Sequence, residues 1–455
     1  MSETPMSVLR WQQAAPEERR ALLDRGTRQI FDPRLRASVA ELVEDVREHG
    51  DAAVARALKR FDGCDVDPGG LQVTEQEFTA AERSLDEQVR AGIRQGIANI
   101  RAFNEALTAE RRWTREIAPG ITVGEKATAI DGAGLFVPSG KGSFPSVLVQ
   151  IGTPAVVAGV PEIAVVVPPV SGGAGEVDPA VLCAARELGV ERVYRANGPA
   201  GVAALAFGTE TIPRMRKVLG PGSPPVAVAH LEIQRYGCHA QVLMGPSESL
   251  IIADDSADVR LLAADLLNEA EHGPDSSSVL VTDSERLVAS LQTEVARQLA
   301  ALPEPRRGYA AAALGANGGA VLVRDLDEAV EVANLYAPEH MQIVARDEDR
   351  VLDGIVHAGE ILLGQSTPIA AANYAVGVPA ALPTGAFARV TGGVTAETFL
   401  KKASIARLTP EALTRLAPGI LALADHEGFP AHAAAVRART DDDTAAAIEE
   451  ETLHA

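Results

Sequence analysis

The run VLVQIGTPAVVAGVPEIAVVVPPV, residues 147–170, decides how this chain is read. It is long and apolar enough to suggest a membrane span. Pro154, Pro161 and Glu162 cut it into strand, short helix and strand pieces. That is the reading of a buried βαβ unit, whose strands are covered on both faces. The same texture continues on either side. AGLFVP (133–138), VPEIAVVVPP (160–169) and ERVYRANG (191–198) alternate with helical pieces such as PAVLCAARELG (179–189), a parallel α/β pattern. It is interrupted around Pro221 to Gly237. A second α/β block starts at SLIIADD (249–255) and runs through SVLVTD (278–283), GAVLVRD (319–325), MQIVARD (341–347) and GEILLG (359–364).

Residues 1–110 read as mostly helical, with polar outer faces on runs such as RASVAELVEDVREHGDAAVARALKRFDG. From Thr395 the chain reads as helical again, through TAETFLKKASIARL and LTPEALTRLAPGILALADHEGFPAHAAAVRART. The acidic run DDDTAAAIEEE (441–451) reads as a frayed, solvated tail. No internal repeat of solenoid period is present.

A chain of 455 residues exceeds a single ordinary core and implies two or more domains. Its net charge of −20, from 42 basic and 62 acidic residues, repels phosphate backbones and argues against nucleic-acid binding. Cys64, Cys183 and Cys238 show no CxxC spacing and suit a reduced, cytoplasmic protein. The N-terminal MSETPMSVLRWQQAAPEERRALL has neither the apolar core nor the cleavage pattern of a signal peptide. The expectation is a cytoplasmic multidomain protein that neither crosses membranes nor binds nucleic acid.

Two short stretches carry acid/base and metal chemistry. In LLNEAEHGPDS (266–276), Glu269 and His272 are three apart at the end of a helix that Gly273-Pro274 terminates. They share one face there. A carboxylate and an imidazole so placed can hold a metal or move protons. In YAPEHMQIV (336–344), Glu339 and His340 lie between a helix and a strand. Two glycine-rich loops fall short of nucleotide motifs. SGKGS (139–143) has its preceding glycine, Gly134, one residue too far away and Gly142 where a phosphate loop has a hydroxyl. GPGSPP (220–225) ends in proline where a dinucleotide fingerprint needs glycine.

Eight strings occur in one order: GLFVPSGKGSFPS (134–146), NGPAGVAALAFGTETIP (197–213), GPG (220–222), GPSES (245–249), EAEHGPDS (269–276), YAPEH (336–340), NYAVGVPAALPT (373–384) and EGFPAH (427–432). Together they closely resemble histidinol dehydrogenase, and the similarity covers nearly the whole chain. The resemblance implies an α/β protein of two Rossmann-like domains with a helical N-terminal segment and a helical C-terminal dimerisation tail. The implied spans are an N-terminal arm (1–24), a discontinuous larger domain (25–130 plus 245–394), a second domain (131–244) and a tail (395–455) exchanged across a homodimer. It further implies an NAD-dependent, zinc-containing enzyme that oxidises a primary alcohol through an aldehyde to a carboxylate. His340 would take the alcohol proton, and Glu339 would activate water. Ser146 and Ser247 would line the substrate pocket, with Glu427 meeting the substrate from the partner chain.

The chain departs from that pattern in three places. Where the family has Gln, His, Asp and His as zinc ligands, this chain has Glu269, His272, Asn373 and His432. Amide and carboxylate have exchanged positions and the charge sum is kept, so a divalent metal is still expected, the alternative being a metal-free site in which Glu269 and Asn373 bond to each other. A pocket histidine is replaced by Ala380, which argues for an alcohol other than histidinol, since specificity built on polar partners is sharp. On the nucleotide side a Tyr, a Gln and an Asn become Phe136, Ala200 and Ser223. Two alternatives stay open: a catalytically degenerate dimeric protein that binds a small molecule, and a true L-histidinol dehydrogenase.

Overall fold

The structure, a computed structural model, describes residues 6–25, 30–139, 142–170, 175–241 and 245–440. The acidic run 441–451 lies outside the described residues, as do the central Gly140 and Lys141 of the SGKGS loop. The chain opens with β1 (Val8–Arg10) and, after four helices, forms a hairpin of β2 (Arg112–Ala118) and β3 (Ile121–Ala129). Next come β4 (Gly132–Phe136), β5 (Glu162–Val167), β6 (Arg192–Arg195), β7 (Lys217–Leu219) and β8 (His239–Gln241). Then β9 (Glu248–Ala253), β10 (Ser277–Thr282), β11 (Gly319–Leu322), β12 (His340–Val344) and β13 (Glu360–Leu363) follow, and β14 (Leu400–Leu408) comes last.

These strands make two parallel sheets and one antiparallel sheet. The five-stranded sheet has the order β6-β5-β4-β7-β8, and the six-stranded sheet the order β1-β11-β10-β9-β12-β13. Leaving β1 aside, both are wound in the same doubly wound order, with the first strand central and the chain moving outward on one side before crossing to the other. The protein is therefore α/β with parallel sheets. No helix of the described residues is long and apolar enough to cross a membrane. The cysteines are buried and form no disulfide.

The decisive run is built differently from its reading. Residues 145–158 form one helix, Pro145–Ala158, which Pro154 does not end, and only Glu162–Val167 is strand. The βαβ unit is thus β4, this helix and β5. In a helix buried nearly all round, strand and helix periods cannot be told apart. Further short strands, β7 and β8, continue the sheet on either side of the helix Pro224–Ile233, where the pattern had looked interrupted.

The N-terminal helices also sit elsewhere than expected. Val39, Val43 and Val46 make an apolar stripe on the helix Pro33–Ala57, which kinks at Gly50. The stripe packs into one core with Val202, Leu205 and Val226, on the five-stranded sheet and not the larger one. Each such side chain, once fully buried, contributes roughly 1.5–3 kcal/mol. The N-terminal arm is not purely helical either: β1 pairs in parallel with β11, Val8 opposite Ala320.

Residues 108–129 and 400–440 form a second compact unit. This second unit holds an antiparallel sheet, β14-β3-β2, and the helices Pro410–His426 and Pro430–Thr440. The tail is therefore not all helix. LKKASIARL pairs along its length with β3, Leu400 opposite Ala129 through Leu408 opposite Ile121, a partner nearly three hundred residues earlier that no local pattern announces. Every residue of β2 is exposed.

Candidate active site

One cleft of about 1090 Å³ is lined from both parallel sheets. The five-stranded sheet presents the carboxyl ends of its strands. Phe136 ends β4, Pro138 and Ser139 follow it, Asn197 follows β6, and Pro221 to Ser223 follow β7. The six-stranded sheet presents the opposite ends. Ser247 precedes β9, Ser276 precedes β10, and Glu339 precedes β12, which His340 opens.

Helix ends follow from this. On the first side the helices Pro145–Ala158, Gly198–Phe207 and Pro224–Ile233 begin at the cleft, lining it with Ser146, Gly198 and Pro224. On the second side the helices Val259–Ala270 and Leu326–Tyr336 end there, delivering Glu269, His272 and Glu339. Helix N-termini favour anions and C-termini favour cations.

Glu339 and His340 stand together and buried. His340 Nε2 lies 3.6 Å from Glu339 Oε1, and Glu339 Oε2 accepts the Glu248 backbone N–H at 3.0 Å. On its other side, His340 Nδ1 is hydrogen-bonded to Glu360 Oε1. Burial pulls the imidazole down, but Glu339, Glu269 and Glu360 outweigh it and hold His340 at about 10. Burial pushes Glu339 up to about 8, against the pull of His340. Carboxylates crowd one imidazole and raise its basicity, while burial raises that of Glu339 beside it.

Glu269 is 1% exposed and accepts the Asn268 side-chain amide at 2.9 Å. A buried carboxylate with so little compensation is costly unless a cation pairs with it. His272 Nδ1 lies 3.6 Å from Glu269 Oε2 and 3.2 Å from the Asn268 carbonyl oxygen, an acceptor that only a protonated Nδ1 can use. Nε2 is then left with its lone pair free, the arrangement of metal-binding histidines. Asn373 lines the same cleft. Among the described residues no three His, Cys, Asp or Glu side chains converge as a metal cluster. The cleft brings one carboxylate, one imidazole and one amide, a donor set that suits a divalent ion.

Ser146, Ser247, Ala380 and Ser223 line the cleft as well. Phe136 does too, yet it is 1% exposed, with its ring in the core. Ala200 does not reach the cleft. It faces the core at 1% exposure, because the methyl group is too short to return to the surface. Glu427 and His432 belong to the second unit, at the C-cap of Pro410–His426 and within Pro430–Thr440, where His432 stacks obliquely on Phe429 at 5.1 Å.

Several site residues went unread in the sequence. Arg25 and Glu248 form a buried ion pair at 2.8 Å, with the guanidinium 3.3 Å from the Tyr336 ring centroid. Glu248 also accepts the Gly385 N–H at 3.1 Å. Gln150 donates to the carbonyls of Ala372 and Asn373 and accepts from the Ala380 N–H, so one buried amide clamps the loop that carries Asn373 and Ala380. A signal did exist: Glu248 heads ESLIIA, Glu360 heads EILL, and Gln150 interrupts PSVLVQIGTPAVVA. A lone polar residue in a fully buried apolar run calls for a partner.

The family model for histidinol dehydrogenase matches residues 26–440. A protein of Rhizobium meliloti (strain 1021) named "Histidinol dehydrogenase homolog" is 42% identical over 434 residues, covering 95% of this chain and 94% of its own. One from Synechocystis sp. named "Histidinol dehydrogenase" is 39% identical over 427 residues, covering 92% and 95%. The crystal structure of histidinol dehydrogenase from Elizabethkingia anophelis superposes with a TM-score of 0.90 at 30% identity, over 96% of this chain and 99% of that one.

Proposed function

The chain belongs to the histidinol dehydrogenase family, and on that footing we propose that its cleft oxidises a primary alcohol other than histidinol to a carboxylate, with NAD as hydride acceptor. The observation that carries this reading is the meeting, in one cleft, of three helix N-termini with the buried Glu339–His340 pair. The N-termini suit a pyrophosphate, and Pro138, Asn197 and Ser223 stand beside them. The pair suits proton transfer.

In the first stage His340 Nε2 takes the hydroxyl proton as hydride leaves the carbinol carbon. Water then adds to the aldehyde, with Glu339 accepting its proton, and a second hydride departure leaves the carboxylate. Each turnover of alcohol to acid consumes two NAD and one water. Glu269, His272 and Asn373 would hold a divalent metal, zinc by family, which polarises the substrate oxygen when bound. His432 and Glu427 would join them from a second copy of the chain. The exposed strand β2, with Trp113 and Ile117 open to solvent, supports a homodimer. Ala380 at the cleft wall supports a substrate without the imidazole of histidinol.

The test is NAD reduction by a panel of primary alcohols, L-histidinol among them, with the parent and His340→Asn. The expected result is turnover of a non-histidinol alcohol that falls at least about a thousandfold in the variant, with fold and metal content unchanged. Undiminished turnover in His340→Asn would sink the base assignment. Reaction with L-histidinol above every other alcohol would return the protein to histidinol oxidation.

A further inference from the structure

We propose that Glu360 is a positioning residue for His340: it fixes the proton of the imidazole on Nδ1, so that Nε2 keeps its lone pair toward the cleft. The inference rests on the reading of His340 as the base, and it adds a residue to that site.

The sheet register brings the two together. His340 and Glu360 are directly opposed on the neighbouring parallel strands β12 and β13. Paired positions put both side chains on one face, about 4.8 Å apart at the backbone. Glu360 Oε1 meets Nδ1, and both side chains are 4% exposed. The opposite nitrogen, Nε2, is the one that stands near Glu339.

Structural need alone does not account for Glu360. Its Oε2 is buried with no hydrogen-bond partner among the described residues. An acid retained for packing or strand pairing would satisfy both oxygens, since an orphaned buried polar atom is costly. The strand EILL would gain from an apolar residue at its head. What the carboxylate does make is one bond, to the ring nitrogen facing away from the cleft. Which imidazole nitrogen carries the proton is set by the bond the other makes. A base held in the wrong tautomer loses most of its activity.

The bond is read directly by NMR of histidine-labelled protein. His340 is assigned among the nine histidines by its loss in His340→Asn. In the parent the Nδ1 proton should resonate far downfield, as a proton shared with a buried carboxylate does. In Glu360→Ala that resonance should vanish. In Glu360→Gln, whose amide oxygen can still accept but carries no charge, it should persist and move upfield. In parallel, kcat should fall about a hundredfold in Glu360→Ala with KM little changed, and Glu360→Gln should recover much of the loss. An Nδ1 proton unmoved in both variants would overturn the proposal, as would a loss seen in KM alone. Should Glu360→Ala fail to fold, the shift in Glu360→Gln decides. Turnover surviving in His340→Asn would instead refute the base assignment, leaving the Glu360–Nδ1 bond to stand or fall by the spectrum.

Discussion

The five-stranded sheet meets the cleft with the carboxyl ends of its strands, and the six-stranded sheet, wound in the same order, meets it with the amino ends. Open α/β sheets ordinarily bind at the carboxyl side, where the strand order reverses. The first sheet obeys, between β4 and β7. The second reverses the rule, and the reversal changes which helix termini converge. Helix starts gather on one wall and helix ends on the other, so one fold used in two senses makes an anion-attracting wall face a cation-attracting one. Two fully buried histidines register the difference. His230, on the first side, is pushed down to about 4 by burial alone, whereas the carboxylates around His340 overcome burial and hold it at about 10.

The largest effect should come from emptying the cation-attracting wall. Protein purified with zinc available should carry about one metal per chain by elemental analysis, as one site per chain requires. A His272→Ala, His432→Ala double variant should carry none while binding NAD as the parent does. Equal metal in both would show that the ion sits elsewhere. NAD affinity falling with the metal would show that the two walls are not separable.

The opposite wall can be broken at Gly220. Its φ is +147°, and a Cβ there would lie 2.0 Å from the Phe136 carbonyl oxygen, so only glycine lets the loop after β7 cross the end of β4. Gly220→Ala must push that loop aside, and NAD should bind at least about tenfold more weakly by calorimetry, roughly 1.4 kcal/mol. Metal content should not change. Unaltered NAD affinity would mean that the dinucleotide does not use this loop.

Much of this contrast could be read in the chain, and what could not has a physical cause. Strands such as LIIA and VLVT stand out because each is a short apolar run closed by Asp or Thr-Asp. Glu269 with His272 and Glu339 with His340 were legible as helix-end pairs. That both pairs share one cleft follows from β12 lying beside β9, which lies beside β10, and tertiary pairing of that kind leaves no local trace. Glu360 was invisible as a partner of His340 for the same reason: only the β12–β13 register makes them neighbours. Ala200 shows a second limit: its place in a matched motif does not say which way the side chain faces, and this methyl group, on the inner face of its helix, packs into the core.

The smallest predicted effect tests the histidine contrast away from any catalysis. His230 sits in the last turn of Pro224–Ile233, with its Nε2 buried and unpartnered among the described residues. Its folded value, about 4 against an ordinary 6.5, means that the native state resists a proton which the unfolded chain accepts. The unfolded state therefore binds more protons between those values, and stability falls as pH drops through about 6.5 toward about 4. Between about pH 7 and about pH 5.5 this one group should cost on the order of 1 kcal/mol. His230→Leu removes the titration and keeps an apolar filling. Urea unfolding at the two pH values should therefore show a smaller acid loss in the variant than in the parent. Equal losses would mean that His230 finds a proton acceptor when the chain is acidified, and the first wall would then be less purely apolar behind its helix termini than its packing indicates.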